Sequence, residues 1–171
     1  GKVLLTMFSR NTNLLLAFLR DHNTARSVLD VFNDLYAMFG RETYCRLFPV
    51  ILTDRGSEFS NPVPIEQDEN DELRSLVFYC NPSAPYQKGG IEVAHELVRR
   101  VLPKGKSFDD LQQEDIDLML SHINSYKRGK LNSRSAYQLF NFIYGDDILP
   151  KLNIREIEAN DIVLSPKLLK K

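Results

Sequence analysis

Apolar residues change their spacing several times along this chain, and the changes predict a mixed α/β fold. Two short apolar runs, residues 2–8 and 14–19, flank a polar, Asn-bearing turn and predict a β-hairpin. A helical stripe over residues 25–39 follows, with Thr24 as its expected N-cap and Gly40 as its expected end. Hairpin, helix and then strand in this order indicate an α/β domain with a mixed sheet.

The later pattern predicts two strands and three more helices. Residues 47–53 and 73–80 are apolar runs typical of short buried strands. The three helices are expected to end at Leu102, to run from Gln113 to Tyr126, and to run from a Ser135 cap through Tyr144.

The helix that follows Gly89 and Gly90 separates charged from apolar side chains. On a wheel of about 100° per residue, an arc of roughly 100° carries Glu92, His95, Glu96 and Arg99. The opposite face carries Ala94, Leu97, Val98 and Val101. We therefore expect the apolar face to be packed and the charged face to be exposed. Taken alone, the charged face is typical of a solvated helix, with Glu92 near the positive end of the helix dipole.

Composition is that of a globular protein without a membrane or zinc signature. The chain has 171 residues, 43% of them hydrophobic, and a net charge of -1, so any basic surface for nucleic acid must be local. Two Cys and three scattered His residues predict neither a disulfide framework nor a zinc site, and indicate a reduced, cytoplasmic protein. No apolar run reaches the length of about 18 residues that would suggest a membrane-spanning helix, so nothing in the sequence indicates binding to a membrane.

A second carboxylate, Asp54, stands at the end of the predicted strand over residues 47–53. Open α/β sheets place their ligands at such strand ends, and Gly56 permits a tight turn just beyond. An Asp-x-Gly turn alone is weak evidence, because both residues populate ordinary turns. Together with Glu92, however, Asp54 supplies the oxygen ligands that Mg²⁺ or Mn²⁺ prefers. Two such ions would clamp the attacking and leaving oxygens of a phosphodiester.

Three segments resemble the catalytic core of bacterial insertion-sequence transposases: TDRGSEF, FYCNPSAPYQKGGIEVAHELVRRVLPKGKSF and INSYKRGKLNSRSAYQLF. That core belongs to the retroviral-integrase superfamily, which has an RNase H-like fold and an Asp–Asp–Glu triad. The resemblance implies an α/β, RNase H-like mixed sheet flanked by helices over residues 1–145, with residues 146–171 as a tail packed on the core. It also implies DNA strand cleavage and transfer by phosphoryl transfer with Mg²⁺ or Mn²⁺.

The resemblance assigns roles residue by residue. Asp54 matches the second Asp of the triad and Glu92 matches its Glu, which makes both catalytic and metal-binding. Arg99 matches a basic residue that contacts DNA, and its alternative role is an ion pair with Glu96 at i+3.

The loop before the helix and His95 complete the expected DNA contacts. Gln87 and Lys88 match a loop near the substrate strand, although as residues alone they also fit a solvated loop. Tyr86 fits either stacking on a base or packing beneath the loop. His95 fits a structural contact or a phosphate contact better than a metal ligand. The following segment, Lys127 to Lys130, is expected to be basic and exposed, as a phosphate patch or a solvated turn.

The chain departs from the resemblance at its start. The first strand of the family's fold, which carries the first Asp, precedes the hairpin and is expected to be missing, and neither Asp21 nor Asp30 replaces that Asp. We therefore expect at most one weak divalent-ion site and a catalytically deficient chain. The gap in the sheet is expected to be closed by pairing of residues 2–8 with residues 48–53, or by a strand from a second chain.

The expected partner is DNA, both the transposon ends and the target. The chain is also expected to form a homo-oligomer, such as a dimer. The expected location is the bacterial cytoplasm, with association to the nucleoid during activity. Two alternatives remain: an RNase H-like nuclease that only hydrolyses nucleic acid, and an inactive remnant that keeps DNA-binding or self-association surfaces.

Overall fold

The computed structural model describes residues 1–81 and 90–170, and these form an α/β structure with three two-stranded sheets and six helices. The chain divides into two compact units. The hairpin unit comprises residues 1–19 and 90–171, and the middle unit comprises residues 20–89. The prediction of a mixed α/β fold is confirmed. The RNase H-like arrangement and the division at residue 145 stay predictions.

The predicted hairpin is present at the start of the chain. Strand β1 (Val3–Phe8) pairs with strand β2 (Leu15–Arg20). The turn between them is closed by backbone hydrogen bonds from Ser9 N to Leu14 O (2.9 Å) and from Asn13 N to Ser9 O (2.7 Å). Asn13 has a φ of 62°, a left-handed conformation that Asn tolerates better than most residues.

The outer edge of β2 is covered by a helix rather than by a third strand. Helix α4 (Gln113–Ser125) presents two carboxamides to this edge. Asn124 accepts from Leu15 N (2.9 Å) and donates to Leu15 O (2.8 Å). Gln113 accepts from Leu19 N (2.9 Å) and donates to Ala17 O (3.1 Å). The side chains therefore satisfy backbone groups that an unpaired strand edge would leave open.

The rest of the hairpin unit contains the predicted helices together with one short helix, α6 (Ile148–Lys151), and one short strand pair that were not predicted. Its other helices are α3 (Ile91–Val101) and α5 (Ala136–Tyr144), and the short antiparallel pair joins β5 (Lys127–Arg128) to β6 (Arg134–Ser135). Ser135 caps α5 as predicted, since its hydroxyl accepts from Gln138 N and the Gln138 side chain accepts from Ser135 N.

The C-terminal segment packs against α4 through hydrogen bonds from its backbone. Three side chains of α4 serve as acceptors, and the donors are the N–H groups of Arg155 to Ser121, Ile157 to Ser125 and Val163 to His122. This segment therefore has a fixed path although it contains only short 3₁₀ turns, at Ala159–Asp161 and Pro166–Leu169.

In the middle unit, helix α1 (Ala25–Leu47) is longer than predicted. Thr24 caps it as predicted, in a capping box with Ser27. The expected stop at Gly40 is confirmed, since Gly40 breaks the helical torsions with φ 76° and ψ 167°. The helix resumes beyond this kink, and a second segment reaches Leu47.

Two parallel strands follow α1 in the middle unit. Strand β3 (Val50–Thr53) pairs with β4 (Leu76–Tyr79), and Val50 lies opposite Leu76. Between them lie a 3₁₀ turn (Ser57–Phe59) and helix α2 (Val63–Glu66). A pairing of residues 2–8 with residues 48–53 is not among the strand pairs of the described residues, and a strand from a second chain stays a prediction.

Arg74 lies at the centre of the middle unit and is only 3% exposed. Its guanidinium donates to the carbonyl oxygens of Ile65 and Pro64 and to Asn33 Oδ1. Its Cζ lies 4.9 Å from the ring centroid of Tyr36 and 5.5 Å from that of Tyr44. One buried cation therefore joins α1, α2 and the segment before β4.

Candidate functional site

Asp54 follows the last residue of β3, as predicted, and its carboxylate is exposed. Oδ1 accepts a hydrogen bond from Gly56 N at 2.9 Å, which fixes the direction of the side chain at the strand end. Gly56 has a φ of −58°, which any residue can adopt, so glycine is needed there for lack of space rather than for its backbone conformation. A Cβ there would lie 3.0 Å from Asp54 Oδ1 and 2.9 Å from both carboxylate oxygens of Glu58.

Glu58 is a carboxylate that the sequence interpretation missed. It lies in the 3₁₀ turn Ser57–Phe59, and its carboxylate and that of Asp54 approach the same point beside Gly56. Burial lowers the pKa of the Arg20 guanidinium, and the charge of Glu58 partly opposes this shift. The spacing Asp-x-Gly-x-Glu is the signal that would have indicated this second acid.

Glu92 lies in the first turn of α3 and is exposed, as predicted. The residue before the helix, Gly90, has a φ of 94°, and a Cβ at Gly90 would meet the Phe8 ring at 2.8 Å. Glycine is therefore required both for the backbone conformation and for the close approach of β1. The predicted apolar face is confirmed, with the buried residues Ala94, Leu97, Val98 and Val101.

His95 makes a contact that orients α3. Its Nε2 lies 3.1 Å from Thr6 Oγ1 on β1, within the hairpin unit. This hydrogen bond gives His95 a structural role, and the expected phosphate contact stays a prediction.

The two arginines of α3 have different surroundings. Arg100, and not Arg99, pairs with Glu96, through Nη2 and Oε1 at 3.1 Å and a spacing of i,i+4. Arg99 is exposed on the same face of the helix as Glu92. The alternative role of Arg99 as the partner of Glu96 is therefore not the one that the structure shows.

The remaining predicted site residues are distributed as follows. Tyr86, Gln87 and Lys88 lie outside the described residues. Asp54 belongs to the middle unit and Glu92 to the hairpin unit, so their union in one metal site stays a prediction. Over residues 1–81 and 90–170, no group of three His, Cys, Asp or Glu side chains is placed to hold a metal ion.

The basic segment after α4 differs from its prediction at one position. Lys127 and Lys130 are exposed as expected, but Arg128 is buried with 9% exposure. Burial lowers the pKa of its guanidinium, and Tyr126 partly opposes this effect. The alternation of a strand explains the difference, since β5 turns neighbouring side chains to opposite faces.

Comparison with known proteins gives transposases and an integrase. The chain is 30% identical to the ORF3 integrase of Spiroplasma virus SpV1-R8A2 B over 120 residues, which are 70% of this chain and 35% of that protein. It is 35% identical to the transposase of IS1086 from Cupriavidus metallidurans over 63 residues, which are 37% of this chain and 19% of that protein. It is 27% identical to the transposase of IS4351 from Bacteroides fragilis over 94 residues, which are 55% of this chain and 28% of that protein.

These similarities support a relationship to a transposase/integrase family. The aligned part spans between 19% and 35% of the length of these relatives. No family model matches the chain. Within the described part of the chain, no helix combines the length and the apolar character needed to cross a membrane.

Proposed function

We propose that this chain forms part of the catalytic core of a transposase or integrase that cleaves DNA and transfers its strands by divalent-metal-dependent phosphoryl transfer. The observation that carries the proposal is the position of the two acids. Asp54 follows the last residue of a parallel strand, Glu92 lies in the first turn of an amphipathic helix, and both are exposed. The similarity to an integrase and to transposases supports a role in DNA transposition.

The donor chemistry fits a hard divalent cation. Carboxylate oxygens are the ligands that Mg²⁺ and Mn²⁺ prefer, and Asp54 and Glu92 are the residues that would hold the ion. A bound ion would polarise the phosphodiester and stabilise charge on its oxygens. The chain's own contribution is positional: Gly56 N holds Asp54 Oδ1, and the contact between His95 and Thr6 orients the helix that carries Glu92.

Strand joining by the full-length protein that carries this sequence tests the proposal. Pre-cut terminal-repeat DNA and a plasmid target are incubated with Mg²⁺, and joined products are counted. We expect Glu92→Gln to reduce joining by more than about a hundredfold, because the loss of a metal ligand removes several kcal/mol of transition-state stabilisation. DNA binding by this variant should stay nearly unchanged.

Glu114→Gln is the matched control, since Glu114 is likewise an exposed glutamate in the first turn of a helix of the same unit. Joining should then remain near the wild-type level. A Glu92→Gln protein that joins ends at a near-normal rate would contradict the catalytic assignment. Cleavage without joining by the wild-type protein would instead favour the nuclease alternative.

Arg99 is proposed to contact a DNA phosphate. Arg99→Ala should weaken binding to all duplex sequences alike and should reduce the slope of log K against log salt by about 0.9, the value expected for one phosphate contact. An anisotropy titration at several salt concentrations measures this slope, and an unchanged slope would exclude the contact.

A further inference from the structure

A groove in the hairpin unit lies beside the C-terminal end of α3. Its volume of about 390 Å³ falls among the roughly 300–1,000 Å³ typical of small-ligand sites. Its lining comes from α3, the junction of α4 with β5, and the C-terminal segment: Arg100, Tyr126, Lys127, Ala159, Ile162 and Leu164. All these residues belong to one compact unit, so the groove has a defined shape.

The lining combines two cations, one aromatic ring and an apolar wall, without an acidic residue. Arg100 gives one N–H to Glu96, and a guanidinium has five, so donors remain for a second anion. Tyr126 lines the groove and is 40% exposed, so part of this aromatic side chain is accessible to a ligand. The groove therefore offers both charge and a flat apolar surface to one ligand.

The apolar wall is held in place from behind. Val163 N donates to His122 Nδ1 at 3.0 Å, and Val163 lies between the two lining residues Ile162 and Leu164. Ile157 N donates to Ser125 Oγ at 2.9 Å, at the last residue of α4. The chain is therefore fixed to α4 at Val163 and at Ile157, two residues before the lining residue Ala159, so the wall is formed before a ligand arrives.

We propose that this groove binds one unpaired nucleotide of a DNA strand, with the base stacked on Tyr126 and the flanking phosphates on Arg100 and Lys127. This inference rests on the proposed function. Arg100 follows Glu92 by eight residues, about 12 Å along the axis of α3. Three or four stacked nucleotides span that distance at about 3.4 Å each, so the strand processed at Glu92 would reach the groove.

A single strand fits these features better than a duplex or an acidic peptide does. Bases in a duplex are stacked on one another and do not present a face to Tyr126, whereas an unpaired base does. An acidic peptide would use Arg100 and Lys127 but would gain nothing from the aromatic ring. Dependence of binding on the Tyr126 ring therefore distinguishes a single strand from a duplex and from an acidic peptide.

The test measures binding of the full-length protein to a fluorescein-labelled 12-mer of thymidine and to a blunt duplex of the same length, by anisotropy at several salt concentrations. We expect Tyr126→Leu to weaken single-strand binding about tenfold and to leave duplex binding unchanged. Tyr126→Phe, which keeps the ring, should bind like wild type. Lys127→Gln should reduce the single-strand salt slope by about 0.7, the value for one phosphate.

Lys130→Gln is the matched control, because it removes an equal charge from the same exposed segment outside the groove. It should leave the single-strand slope unchanged. The proposal is overturned if Tyr126→Leu and Lys127→Gln bind the 12-mer like wild type, if Tyr126→Leu weakens duplex binding equally, or if poly-glutamate binds with the same dependence on Tyr126. A wild-type protein that binds neither DNA would instead contradict the proposed function.

Discussion

The contacts that cover β2 in the hairpin unit differ in chemistry from those at the core of the middle unit. In the hairpin unit, neutral carboxamides of α4 contact a strand that is far away in sequence, since Asn124 and Leu15 are 109 positions apart. In the middle unit, arginines join segments that lie closer together. Arg74 reaches Asn33 over 41 positions, and Arg41 pairs with Asp68 at 3.3 Å over 27 positions.

This difference shows how each unit solves the same problem of an unpaired strand edge. The hairpin unit covers β2 with two carboxamides, each of which both donates and accepts, in the way that a neighbouring strand would. The middle unit uses charge: Glu66 Oε2 accepts from Val77 N of β4 at 3.0 Å. A carboxamide satisfies both kinds of backbone group, whereas a carboxylate only accepts.

The largest expected effect is at Asn124. Asn124→Leu leaves the N–H and the C=O of Leu15 buried without partners, and each unsatisfied group costs about 1–3 kcal/mol. We therefore expect the free energy of unfolding to fall by about 3 kcal/mol. Urea denaturation measures this loss.

Asn160→Ala is the control for Asn124, since Asn160 is exposed in the same unit. It should change the free energy of unfolding by less than about 0.5 kcal/mol. A loss below about 1 kcal/mol in Asn124→Leu would mean that water or another group replaces the carboxamide, and the contrast between the two units would fail.

A smaller effect is expected at Arg74 in the middle unit. Arg74→Met keeps a long apolar side chain but removes the hydrogen bonds to Ile65 O and Pro64 O and the contact with Tyr36. The buried charge also disappears and its desolvation cost with it, so the net loss should be about 2 kcal/mol.

Arg26→Met is the matched arginine control, because Arg26 is 79% exposed in its ion pair with Asp30. Exposed pairs contribute about 0–1 kcal/mol. If the urea midpoints of Arg74→Met and Arg26→Met coincide, the guanidinium does not hold the middle unit together.

Elements with a local signal could be predicted from the sequence. The capping residues Thr24 and Ser135 and the buried face of α3 lie where the pattern placed them, because a cap and an amphipathic stripe depend on residues within one or two turns. The break at Gly40 was also predicted, but the second helical segment beyond it, which reaches Leu47, was not.

Parts of the fold and of the surface near the candidate site depend on contacts that no local pattern encodes. Asn124 and Gln113 are polar residues on a helix and resemble solvated positions, yet they cover a strand edge. Arg128 was expected to be exposed with its basic neighbours, but β5 turns it inwards. Glu92 was predicted correctly as an exposed residue in a first turn, because its position follows from the helix alone.

The smallest expected effect tests a neutral contact of the hairpin unit by pH. Burial, followed by the charge of Arg155, lowers the pKa of His122, while Asp161 acts in the opposite direction. His122 is therefore neutral in the folded protein, and its Nδ1 accepts from Val163 N at 3.0 Å. Protonation would remove this acceptor.

The sign of the pH dependence follows from the direction of that shift. Above the unfolded pKa of about 6.5 both states are neutral, and the stability is fully present. As the pH falls from there through the lower folded pKa, the unfolded state binds the proton first, so stability is lost.

We expect the urea midpoint of the wild-type protein to fall between pH 8 and pH 5.5 by more than that of His122→Asn, which keeps an acceptor but does not titrate. His22→Asn, at an exposed His, should follow the wild-type curve. Equal pH dependence in wild type and His122→Asn would show that His122 does not couple the C-terminal segment to α4.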